Sequence, residues 1–112
     1  MTKPNVRPLS QHSQLALQLL GQLIREGRLV KGFSTTDLAA RAGISRALLQ
    51  RIERGEAGCS IGACFEVAAV CGVSLFEPDE NALSKRLSTQ TEKLALLPKA
   101  VRRSKLLVHD DF

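Results

Sequence analysis

Phe33–Gly55, FSTTDLAARAGISRALLQRIERG, decides the fold. Ser34 stands three residues before Asp37, the spacing of a capping box in which a hydroxyl and a carboxylate satisfy the free N–H groups at a helix start. A helix is therefore expected from about Thr35 to Ala42. Gly43 then supplies a position where the backbone turns with positive φ at little cost, and Ser45 offers a second cap straight afterwards. A second helix follows from about Arg46 to Arg54.

Helices joined by so short a turn must approach closely, and the apolar spacing allows it. Leu38, Ala39 and Ala42 face Ile44, Leu49 and Ile52, with Ala39 small where the backbones come nearest. The opposite face of the second helix carries Ala47, Gln50, Arg51 and Arg54, with Arg46 at its N-terminal shoulder. Such a face fits the DNA major groove, where Arg bonds guanine, Gln bonds adenine and a small Ala sits against a thymine methyl. The alternative is an amphipathic helix that only solvates its outer side. The coincidence of box, glycine turn, second cap and basic face in one window favours DNA reading.

From about Leu20 to Phe76 the chain resembles the Xre, or Cro/C1-type, helix-turn-helix family. The match is carried by Leu20, Gly21, Ile24, Arg25 and Arg28, then Ser34, Leu38, Ala39, Ala42, Gly43, Ile44 and Ser45, and closes on Ile52-Glu53-Arg54-Gly55. The resemblance implies an all-α, compact domain of four to five helices that binds double-stranded operator DNA as a homodimer. On that basis Ser45, Arg46, Ala47 and Gln50 are the expected base-reading residues. Ser34, Thr35, Arg51, Arg54 and Ser60 are the expected phosphate contacts, the caps because helix N-termini favour anions. It also implies that Arg28 pairs with Glu53; the alternative is a solvated pair worth under ~1 kcal/mol.

Working outward, residues 1–9 contain two prolines and little apolar content and read as a flexible arm, with Lys3 and Arg7 within reach of phosphates. From Ser10 or Ser13 a helix places Leu15, Ala16, Leu19, Leu20, Leu23 and Ile24 at three-to-four spacing and ends between Gly27 and Gly32. After the Gly55–Gly58 loop, Ser60 caps a helix from Ile61 to Cys71, and Gly72 ends it. Cys64 and Cys71 are placed on its apolar face with Ile61, Phe65 and Ala68. An odd total of three cysteines with no CxxC pair argues for core packing over a disulfide framework or a metal site.

Val73–Glu77, VSLFE, is apolar and stopped by Pro78, and two readings stand. In most of the family this place begins a fifth helix. In the HipB-type antitoxins it is a short strand that pairs across a dimer, which would make Val73, Leu75 and Phe76 dimer residues. The domain is thus expected over 10–78, followed by an amphipathic helix over 79–97 with Leu83, Leu87, Leu94 and Leu97 on one face that must bury against something. Residues 98–112 form a polar tail, expected to order only on a partner. Its basic run, Asp110, Asp111 and terminal Phe112 also resemble the ending of HipB-type antitoxins, which implies a HipA-like kinase toxin as partner with Phe112 as its anchor. A dimerisation helix with a solubilising end is the alternative.

Composition sets the limits. With 112 residues, one small domain plus tails is expected, its core built from Leu, Ile, Val and Ala because Trp and Tyr are absent. Residues 1–58 hold nine Lys and Arg against four Asp and Glu, whereas residues 59–112 hold seven of each, so the whole +5 excess lies with the helix-turn-helix half. With neither a long apolar run nor a leader, a cytoplasmic protein with no membrane contact is expected. No catalytic constellation is visible, so neither an enzyme nor a cofactor is expected. Three functions remain: a repressor that is also an antitoxin, a free-standing Xre-type regulator, and an interaction module without DNA binding, against which Arg46, Gln50 and Arg51 argue.

Overall fold

Five side chains set where the helices begin. The Ser10 hydroxyl accepts from the Ser13 N–H (3.2 Å), Ser34 from Asp37 (3.0 Å), Ser45 from Leu48 (3.0 Å) and Ser60 from Ala63 (3.4 Å). The Asp79 carboxylate accepts from the Ala82 N–H at 2.8 Å. In the computed structural model, which describes residues 8–101, these caps open α1 (Gln11–Val30), α2 (Thr35–Ala42), α3 (Arg46–Glu53), α4 (Ile61–Cys71) and α5 (Glu80–Ala95). Each cap satisfies a donor that the helix leaves free, typically worth about 1 kcal/mol. The chain is all-α, with no strand among the described residues.

The capping box at α2 is complete, because the Ser34 N–H also donates to the Asp37 carboxylate at 3.1 Å. Bonds from the Ser34 backbone, then its hydroxyl, hold the Asp37 carboxyl below its ordinary value. The box therefore contributes fully above the ordinary carboxylate pKa and is lost as pH falls through the lowered one. At the other end of α2, Gly43 sits at φ 71°, and the Ile44 N–H reaches back to the Ala39 carbonyl at 3.0 Å. This left-handed ending turns the chain within two residues and swings Ile44 against the core.

The core contains Ile24 of α1, Leu38 and Ala39 of α2, Leu49 and Ile52 of α3, and Val67, Ala68 and Cys71 of α4. Helix α1 packs on α3 and α4, and α2 packs on the same two. Gly21 makes the first of these contacts possible: a Cβ there would stand 2.5 Å from the Glu53 carbonyl oxygen and 2.7 Å from that of Ile52. Backbone oxygens cannot yield as a side chain does, so the α1–α3 spacing demands glycine at this point.

The described chain divides after Leu75 into two units. The segment 73–77 corrects both sequence readings, being neither a strand nor the start of the fifth helix, which begins at Glu80. Val73 and Leu75 are half-buried against their own chain's core, Phe76 takes a left-handed φ of 77°, and Pro78 follows. Inward anchoring, a positive φ and a proline each oppose an extended run. In the second unit the Arg86 guanidinium lies 5.7 Å from the Phe76 ring centroid and 3.0 Å from the Glu77 carboxylate. Helix α5 has no buried residue within that unit, so its leucine face is left open to solvent. The placement of Ile61 and Phe65 on the packed face of α4 is corrected too: both are exposed, while Cys71 is buried and Cys64 half-buried.

One polar bridge ties the core helices together. Arg28 Nε donates to Glu53 Oε2 at 2.7 Å and Nη2 to Oε1 at 3.1 Å, while Nη1 donates to the Phe33 carbonyl at 3.1 Å. The two side chains are only 10% and 9% exposed, which excludes the solvated-pair alternative. Removing one partner of a buried pair leaves the other uncompensated, so Arg28→Met is expected to cost about 3–5 kcal/mol in urea unfolding. Arg28→Met with Glu53→Leu is expected to recover much of that loss; two singles whose costs simply add would contradict the pairing.

Candidate nucleic-acid interface

Burial fixes the rotation of α3. Leu49 and Ile52 are sunk in the core and Leu48 is half-buried, which turns Arg46, Ala47 and Gln50 outward. Arg46 and Gln50 lie one helical turn apart, and neither makes a hydrogen bond or ion pair with another described residue. A guanidinium and an amide on a rigid helix are thus donors and acceptors without a partner among the described residues. Ser45 also caps the helix: its oxygen accepts from the Leu48 N–H, which leaves its O–H and a second lone pair for an outward bond.

The expected phosphate contacts separate into two kinds. Ser34 and Ser60 cap α2 and α4, and Thr35 is the half-buried first residue of α2, so hydroxyls and free N–H groups open each helix. Arg51 and Arg54, expected as free cations, instead share one acid. Arg51 Nε lies 3.2 Å from Glu56 Oε1, and Arg54 Nη2 lies 2.7 Å from Glu56 Oε2. The Arg54 bond first, and then that of Arg51, holds the Glu56 carboxyl below its usual range. The clamp closes because the chain reverses after α3: the Gly55 N–H reaches the Ile52 carbonyl and the Glu56 N–H the Arg51 carbonyl, at 3.0 and 3.1 Å. Glu56 is a residue that sequence reasoning missed. The signal available was an acid two places after Arg54 and five after Arg51, across a glycine.

Phe33 was missed as well. Its carbonyl takes the Arg28 bond, and the Arg41 guanidinium stacks 4.4 Å from the centre of its ring. That stacking occupies one of the basic half's arginines inside the fold. The three cysteines are free thiols, and burial pushes Cys64 and Cys71 above the ordinary thiol value, in keeping with core packing. Phe112, Lys3 and Arg7 lie outside the described residues. No described helix is long and apolar enough to cross a membrane.

A family profile described as a helix-turn-helix domain matches residues 19–82. A protein of Pyrococcus furiosus named as an HTH-type transcriptional regulatory protein is 31% identical over 100 residues, covering 75% of this chain and 32% of that protein. The HTH-type transcriptional regulator SinR of Bacillus licheniformis is 36% identical over 81 residues, covering 68% of this chain and 73% of SinR. SinR of Bacillus subtilis matches with the same identity and coverage. The chain thus spans about a third of the archaeal relative and nearly three-quarters of SinR. No solved structure matches the chain significantly. With the profile spanning α2, α3 and α4 and the capped pair at its centre, the chain belongs to the Xre-like helix-turn-helix family of DNA-binding regulators.

Proposed function

We propose that this chain is a sequence-specific transcriptional repressor that acts as a homodimer on two-fold operator DNA. The observation that carries the reading is the outward face of α3, where Arg46, Ala47 and Gln50 stand exposed on a helix whose other side is locked into the core. Arg46 and Gln50 read bases, and Ala47 leaves room for a thymine methyl. The helix N-termini at Ser34 and Ser60 meet phosphates and set the register. The regulators named among its relatives support the transcriptional role.

Fluorescence anisotropy on a DNA fragment selected from the genome by the full chain tests this. Arg46→Ala and Gln50→Ala are each expected to cost about 1–3 kcal/mol on the selected fragment and to relax preference at particular base pairs. Equal losses on selected and random DNA would refute base reading.

Glu56 sets the strength of the non-specific component. Its carboxylate neutralises part of the Arg51–Arg54 charge, so these arginines reach phosphate only in competition with it. Glu56→Gln is expected to tighten binding to all sequences alike and to steepen the dependence on salt. An unchanged slope in log Kd against log salt would place both arginines away from the DNA.

A second reading, the antitoxin, is favoured by the sequence of residues 98–112, where a basic run leads into Asp110, Asp111 and Phe112. On this reading Phe112 anchors a HipA-like kinase, and the pair represses its own operon. A kinase that co-purifies with the full chain and is lost when the chain ends at Leu97 is the expected result. Recovery of the same kinase by both would remove Phe112 from the contact.

A further inference from the structure

We infer that α5 pairs in parallel with the α5 of a second copy, as a short coiled coil centred on Gln90. This rests on the homodimer reading and names the surface and register that it uses.

The spacing is that of a coiled-coil seam. Leu83, Leu87, Gln90, Leu94 and Leu97 follow one another by four, three, four and three residues. The first four lie within α5, and Leu97 stands two residues beyond its end. Glu80, one heptad before Leu87, marks where the apolar stripe stops. The opposite face carries Lys85, Ser88, Thr89 and Glu92. Among the described residues of this unit nothing covers the stripe: its three helical leucines are 43–66% exposed, and α5 buries no residue.

Gln90 argues for the occupant. An apolar partner face would leave its amide without a bond at the middle of the seam, which costs more than it gains. A second copy presents its own Gln90 at the same level, and two amides can bond to each other. A central polar position of this kind fixes register at some expense of stability.

Charge argues for the direction. In an antiparallel pair about Gln90, Arg86 would flank Lys93 of the partner copy twice over, like against like. In a parallel pair Arg86 flanks Thr91 of the partner copy and Asp79 flanks Ser84 of the partner copy, and the one like-charge approach, Glu80 against its own copy, falls on the exposed first turn where the apolar stripe has stopped. Both chains then enter the seam from the same end, which suits two half-sites on one duplex. At 16 residues α5 spans little more than two heptads, so the pair is weak by itself and its dimer forms reversibly.

The experiment is sedimentation equilibrium of the full chain over a hundredfold range of concentration, with variants run alongside. The unaltered chain is expected to pass from monomer to dimer, and Leu87→Glu with Leu94→Glu to stay monomeric at every concentration. Circular dichroism of that variant should keep the unfolding transition of the helix-turn-helix unit, because neither residue is buried. Gln90→Leu should raise the dimer fraction. Leu83→Cys should give a covalent dimer on mild oxidation that the unaltered chain, with its native thiols, does not. A dimer that survives the double Glu substitution overturns the α5 seam while leaving the homodimer reading intact. A chain that is monomeric throughout overturns both, and a Leu83→Cys variant that dimerises normally but fails to cross-link overturns the parallel arrangement.

Discussion

The buried bridge between Arg28 and Glu53 is the constraint on which the rest of the first unit depends. Glu53 is the last residue of α3, where the helix already presents free carbonyls and partial negative charge. A carboxylate is unfavourable there unless a cation meets it, and the two-pronged Arg28 guanidinium does so from α1 while its third donor holds the Phe33 carbonyl. One side chain thereby joins the first helix, the linker before α2 and the end of α3. Gly21 removes a Cβ that would collide with the carbonyls at the end of α3 and so lets α1 come close to it. The orientation of α3 is therefore set from behind, by groups that never face the outer surface.

That arrangement separates two tasks on a helix of eight residues. Its N-terminal half presents Arg46 and Gln50 with no bond to another described residue, the two side chains proposed to meet base edges. From Arg51 onward the arginines are tied to Glu56, so that much of the charge closest to the outward face is already compensated. Free cations bind any phosphate, whereas a cation already paired with an acid does so only in competition with it.

The second unit is built on a different physical basis. In the first, small residues and glycines let short helices approach closely around a core of aliphatic side chains. In the second, α5 has a cap, an apolar stripe and a polar stripe but no described residue of its own unit to bury the apolar one. A helix of this length is marginal in water without a partner, so its leucines are best understood as half of an interface.

What the sequence by itself determined is everything that rests on bonds between near neighbours. The caps at Ser10, Ser34, Ser45 and Ser60, the capping box to Asp37 and the left-handed turns at Gly43 and Gly72 span a few residues each, so their chemistry is written in consecutive letters. The inner and outer faces of α3 followed from helical periodicity in the same way. Only the tertiary structure decided what Glu56, Phe33, Val73 and Leu75 do. Glu56 meets two arginines because the chain reverses at Gly55, and Phe33 receives Arg28 and Arg41 because the linker holding it turns between the end of α1 and the last turn of α2. Val73 and Leu75 turn inward, while Ile61 and Phe65, equally apolar, stay outside. Apolar character shows that a residue gains by burial, but which of several such residues reaches the core depends on where the neighbouring helices lie, and that is a property of the whole packed unit.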